Sequence, residues 1–231
     1  MRYRGLLGVG ILGFVLSASG VAAQDFDRYR EFELGSAVAA VSTLTGVAGS
    51  EMKAIHQRPA VIQELTWRPR YGARRPVAPE TESVDQMVFD FYDDRLFRVT
   101  VDYDRKQTEG LTDADMIEAI SAVYGSPVIP IASRRRQPPS VGDDAGTPIA
   151  EWGSAEHSVR LHRLASYSVT FRLVITAEPV ATLARTAAAR AVVLDAREAP
   201  QREAAREKKE ADDRRAADEQ ARLTNKATFR P

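Results

Sequence analysis

Three histidines, a group of aspartates and two arginine-bearing stretches are the residues here whose types and spacing could do chemistry. His157 and His162 fall at odd and even positions of one expected strand, so a regular strand points them to opposite faces and they cannot ligate one metal together. His56 sits in an expected loop with no assigned partner, and structural or exposed roles account for all three histidines. Asp90, Asp93, Asp94, Asp102 and Asp104 are close in sequence and could form an acidic patch at one end of a hairpin. A hard cation such as calcium wants about six to eight oxygens in loop geometry. No D-x-[DN]-x-[DN]-G run supplies them, so solvated strand and turn carboxylates are the expectation. Gly153-Ser154 lacks a G-x-S-x-G setting, Ser50 lacks one too, and no glycine-rich phosphate loop occurs. No cofactor or metal is nominated. Enzyme is the lesser reading, with His157, Glu151 and Asp102 as candidate contributors to a pocket between sheet and loops.

The arginines are more informative. Arg68, Arg70, Arg74 and Arg75 lie in one expected loop and Arg134, Arg135 and Arg136 in another. If both loops leave the same end of a sheet they form a cationic rim that attracts anionic lipid head groups or an acidic protein partner. The alternative is that short arginine runs simply solvate loops.

These residues need elements to position them, and the clearest lies at 84–125. Met87, Phe89 and Phe91 alternate with Val88, Asp90 and Tyr92; after Asp93-Asp94-Arg95, Phe97, Val99, Val101 and Tyr103 alternate with Arg98, Thr100 and Asp102. Period two on both sides of a turn predicts a hairpin with one face to bury. Thr112-Asp113-Ala114-Asp115 then reads as a capping box. The helix behind it carries Met116, Ile117, Ile120, Val123 and Tyr124 on one side, and Gly125 and Pro127 stop it. Upstream, 34–46 reads as a helix with Ser36 as N-cap and Gly46 at its end, and 61–67 as a strand. Residues 24–33 read as a polar and aromatic tether on the domain surface. Downstream, 158–164 and 167–176 read as strands joined at Ala165-Ser166, with Tyr167, Val169, Phe171, Leu173 and Ile175 sharing one face.

The first 23 residues read as a secretory signal: Arg2 and Arg4, an apolar stretch over 6–16, then Val21-Ala22-Ala23. The apolar run is shorter than the ~20 residues a membrane span needs, so cleavage after Ala23 and a periplasmic or secreted location are expected. The chain has no Cys, which excludes disulfides and a cysteine-linked lipid anchor. Loss of Arg2 and Arg4 leaves 30 basic against 32 acidic residues, a formal charge of −2, and nothing in that balance favours nucleic acid.

The expected organisation is a signal segment at 1–23, an α+β domain at 24–177 and a helical extension at 178–231. In the extension, Val180, Leu183, Ala187, Ala191 and Leu194 form a narrow stripe able to pack on the domain, and Pro200 marks a kink or a fresh helix start. Beyond it, 201–223 carries Glu210/Arg214 and Asp218/Arg222 pairs in the favourable i, i+4 order. Either a partly formed projecting helix or a fraying tail fits; a coiled coil fits less well, since heptad positions carry Ala and charge.

The two halves repeat one order: a helix ending at Gly46 or Gly125, a strand bearing Trp67 or Trp152, then a hairpin. This pattern resembles the αβββ units of SmpA/OmlA-like outer-membrane assembly proteins and of β-lactamase-inhibitor-like domains over about residues 34–176. The first helix lacks the Gly-Met-Thr opening of the former, and the lipoprotein Cys is absent. The whole chain also resembles a family of exported bacterial proteins that end in a charged helix and Asn-Lys-x-x-Phe-Arg-Pro, here residues 225–231; that likeness implies an architecture and carries no activity. The fold expected is an antiparallel sheet with two packed helices, with a tandem αβββ repeat as one arrangement of it, plus a long charged C-terminal helix. The function expected is non-catalytic: protein binding or assembly in the envelope. A ligand-binding or hydrolytic domain is the alternative, and an inhibitor of an envelope hydrolase is implied by fold analogy alone.

Overall fold

Alternation in the central hairpin sets the sheet around it. The computed structural model describes residues 25–69, 83–128, 146–228 and 230, so the expected signal segment and six of the seven loop arginines lie outside the described residues. Two short strands, β1 (Arg28–Tyr29) and β2 (Phe32–Glu33), precede helix α1 (Val38–Thr45). Strands β3 (Lys53–His56), β4 (Ile62–Trp67), β5 (Val84–Tyr92) and β6 (Arg95–Tyr103) lead to α2 (Asp113–Tyr124). Then come β7 (Thr147–Gly153), β8 (His157–Arg163), β9 (Phe171–Ala177) and α3 (Glu178–Thr228). Strands β3 to β9 make one antiparallel sheet in the order β3-β4-β5-β6-β9-β8-β7. The α+β class and the long terminal helix are as the sequence predicts.

The hairpin turn is made by Asp93 and Asp94, both with positive φ (45° and 66°), the backbone that matches the twist of the flanking strands. Their carboxylates have further duties. Asp93 Oδ1 accepts from the Val61 amide at 2.9 Å and Asp94 Oδ1 from the Val38 amide at 3.1 Å. The acceptor at the start of α1 therefore comes from 56 residues away; Ala37, not Ser36, holds the N-cap position and makes no side-chain bond. The second helix is capped as its sequence predicts: Thr112 Oγ1 accepts from the Asp115 amide, and Asp115 Oδ2 from the Thr112 amide.

One sheet face is the core. Leu65, Met87, Phe89, Val99, Val101, Trp152, Val159, Leu161, Leu173 and Ile175 are all buried there. Val41 of α1 and Met116, Ile120 and Tyr124 of α2 join the same cluster, while Val123 is 71% exposed and not on the buried side. The N-terminal segment is no surface tether. Tyr29, Phe32 and Leu34 are buried, and the Phe32 ring lies 4.7 Å from that of Phe89, because an eight-residue α1 is too short to cover its half of the sheet. The β8–β9 connection is longer than a tip at Ala165-Ser166: β9 begins at Phe171, and Tyr167 is 94% exposed beneath the Arg105 guanidinium.

The register makes the internal repeat geometric. Two cross-strand rows traverse the core face, Trp67-Met87-Val101-Leu173-Leu161-Ala150 and Leu65-Phe89-Val99-Ile175-Val159-Trp152. A two-fold axis through the Thr100/Val174 pair exchanges the rows end for end, carrying β4, β5 and β6 onto β7, β8 and β9. It maps Trp67 onto Trp152, Met87 onto Val159, Phe89 onto Leu161, Val99 onto Leu173 and Val101 onto Ile175. Strand β3 stands outside this symmetry.

Helix α3 lies over the other face. Ala181, Ala184, Ala187 and Ala191 are its buried residues, whereas Leu183 is 55% exposed. The packed stripe is thus rotated from the leucine-bearing one the sequence suggests. The face beneath carries Asp90, Arg98, Arg160 and Thr176, and small side chains let a helix backbone come close to long polar ones. Glu178 fixes its first turn, accepting from Ser158 Oγ at 2.6 Å and pairing with Arg160 at 2.7 Å. Arg58 clasps Glu198 through two bonds, one of 2.7 Å, at the far end of the contact. The helix continues through Pro200 without a break, and from 199 to 228 every residue but Ala211 is exposed. The ion pairs there differ from the expected set: Arg222 pairs with Glu219 and Arg215 with Asp212, both three residues apart.

Candidate functional site

Polar side chains on the sheet face under α3 define what the molecule can do. Asp102 on β6 is 2% exposed and is held by three donors: Arg172 Nε at 2.5 Å, Arg172 Nη2 at 2.9 Å and Gln86 Nε2 at 2.9 Å. Gln86 in turn accepts from Arg68 Nε and Nη2 at 3.1 and 2.8 Å. Arg68, Gln86, Asp102 and Arg172, with Ser166 and Ser168 of the β8–β9 connection, line a groove of about 540 Å³ at one end of the sheet. Gly146, where the chain enters β7, lines it too. The first arginine-bearing stretch leaves the described chain beside this groove at Arg68 and rejoins it near Asp85, and the second rejoins it at Gly146. Arg68 is described there; Arg70, Arg74, Arg75, Arg134, Arg135 and Arg136 lie outside the described residues.

A second cleft of about 370 Å³ runs beneath α3, floored by Glu64, Asp90, Arg98, Arg160 and Thr176 and roofed by Ala181 and Ala184. His56 and His162 both line it. His56 ends β3 and does not lie in a loop, and five strand steps separate it from His162 on β8, about 24 Å at ~4.8 Å per strand.

The candidate catalytic residues do not converge. Glu151 and Asp102 share the α3 face, but β8 and β9 lie between their strands, which puts them about 14 Å apart at ~4.8 Å per strand. His157 alternates to the opposite face from Ser158, which bonds Glu178. The acidic patch does not form either: Asp93 and Asp94 bond backbone amides at one end, Asp104 accepts from Lys106 and Gln107 amides at the other, and Asp90 pairs with Arg98 at 2.7 Å. Among the described residues no group of three His, Cys, Asp or Glu could hold a metal, and no helix is long and apolar enough to cross a membrane.

Tyr29, Tyr103 and Tyr124 make one further polar cluster, within the core. Burial pushes all three hydroxyls above the ordinary tyrosine range. Tyr124 donates to the Arg28 carbonyl at 2.7 Å. A pKa raised by folding means the folded state keeps a proton that the unfolded chain releases, so this stabilisation is complete below about pH 10 and is lost as pH rises beyond it. Urea midpoints are expected to hold level to about pH 9 and fall above pH 10, with tyrosinate absorbance appearing together with unfolding. Reversible tyrosinate formation near pH 10 in the intact fold would show these hydroxyls to be accessible.

Comparison of the chain with protein-family models, with curated proteins and with solved structures finds no match.

Proposed function

We propose that the chain is a non-catalytic, exported binding module of the cell envelope that holds a protein partner at the groove lined by Arg68, Gln86, Asp102 and Arg172. The observation that carries this reading is the groove's position. Helix α3 crosses only part of its sheet face, and the uncovered end holds both ends of the first arginine-bearing stretch and the point where the second rejoins the described chain. Arg68 beside an ordered ion-pair floor, together with the six further arginines the sequence carries in these two stretches, suits an acidic protein surface.

Mild crosslinking followed by affinity capture from envelope extracts tests it. The chain from Gln24 onward should retain a defined partner, a form ending at Ala199 should retain the same partner, and a variant with Arg68, Arg70, Arg74, Arg75, Arg134, Arg135 and Arg136 changed to Gln should lose it. Equal capture by the seven-residue variant, or no partner with any form, would discard the groove as the binding surface.

The cleft beneath α3 favours a second reading, a small polar ligand between helix and sheet. Its volume is in the range ligand sites occupy, and His56, Glu64, Arg98 and His162 line it from four strands.

A further inference from the structure

We propose that α3 carries a docking surface for an anionic lipid bilayer, separate from the groove. Arg190, Arg197, Lys208, Arg215, Arg222 and Lys226 lie within an arc of about 40° at ~100° per residue, and all six are exposed. The row runs from residue 190 to 226, about 54 Å at ~1.5 Å per residue. Between its cations the same side carries Thr186, Val193, Ala204 and Ala211, and Glu219 is the one carboxylate within a band of about 80°.

Most of the row is left without a protein partner. Arg190, Arg197, Lys208 and Lys226 make no hydrogen bond or ion pair among the described residues. On the other side, Arg202 bonds Asp195 at 3.1 Å and Arg206 bonds Glu203 at 3.3 Å. Four of the six row cations are thus open to an outside anion, while Arg215 and Arg222 are engaged by Asp212 and Glu219 at the helix surface.

Orientation identifies the occupant. The buried alanines 181, 184, 187 and 191 centre about 140° around the helix from the row. The domain therefore sits behind the helix, and a flat surface can meet the whole row without touching the sheet. A partner helix would need large apolar residues to interdigitate with, and this side offers Val193 and small residues. A planar anionic surface needs only a straight line of exposed cations.

Sedimentation with vesicles tests this, using the chain from Gln24 onward so that the apolar leader does not itself partition. Vesicles of mixed phosphatidylglycerol and phosphatidylcholine should bind it, phosphatidylcholine alone should not, and binding should weaken steeply with salt. At about fivefold per cation removed, Lys208→Gln/Arg215→Gln/Arg222→Gln should weaken binding about a hundredfold. The opposite-side triple Arg202→Gln/Arg206→Gln/Lys209→Gln removes the same charge and should change it less than about tenfold. Arg190→Gln/Arg197→Gln, in the part of the helix packed on the domain, should cost about 25-fold whatever the projecting end does, with helicity checked by circular dichroism. Equal losses for the two triples, unchanged binding in the row variants, or absence of binding to the anionic vesicles would each overturn the proposal. None of these variants alters the groove, so a lost protein partner and a lost lipid surface are separately readable.

Discussion

Asp102→Ala should cost the fold about 3–5 kcal/mol, the range for removing one partner of a buried ion pair. Asp102 is 2% exposed, and its carboxylate takes two bonds from the Arg172 guanidinium, whose side chain is 21% exposed. With the carboxylate gone, a mostly buried cation loses its counter-charge and Gln86 loses its acceptor. An exposed pair such as Arg222 with Glu219, at 61% and 53% side-chain exposure, should by contrast yield less than about 1 kcal/mol. Two further variants separate charge from shape. Asp102→Asn keeps the volume and one acceptor and should lose less than Asp102→Ala; Asp102→Leu with Arg172→Leu removes both charges and should recover much of the loss. Urea denaturation gives all four values. If Asp102→Ala shifts stability by under 1 kcal/mol, water reaches the groove floor and the ion pair does not organise it.

What the sequence discloses about this fold follows from how local each signal is. The β5–β6 hairpin and the capped α2 were legible because alternation, the Asp93-Asp94 turn and the Thr112/Asp115 box each act within a few residues. The cap on α1 was not, since its acceptor is Asp94, brought up by the hairpin. The stripe of α3 was misplaced for a related reason. Periodicity ranks Leu183 and Leu194 as the packing residues, yet the surface they would meet is built of arginine, aspartate and threonine. Alanines fit over that face and leave the leucines outside. For the candidate site, Arg68 and Asp102 were readable one at a time. Their meeting depends on β6 pairing with β9, a contact about 70 residues apart in the chain.

Trp152→Ala should cost about 3–5 kcal/mol, and Trp67→Ala about 1–2 kcal/mol in proportion to its partial burial, although the sheet register places the two residues as equivalents. Trp152 is 1% exposed, and its indole N–H donates to the Gly125 carbonyl at 2.8 Å, so truncation opens a cavity and strips the end of α2 of its donor. Trp152→Phe should fall between, keeping most of the packing and losing the bond. Trp67 has only partial cover and packs at the edge of the core. The difference traces to the helices: α2 has twelve residues and ends over its tryptophan, whereas α1 has eight, and Tyr29 and Phe32 fill part of what it leaves open. Equal losses for Trp67 and Trp152 would mean that the first unit covers its strands as fully as the second. The expected inequality instead assigns the sheet's symmetry to strand register and the difference between the halves to helix length.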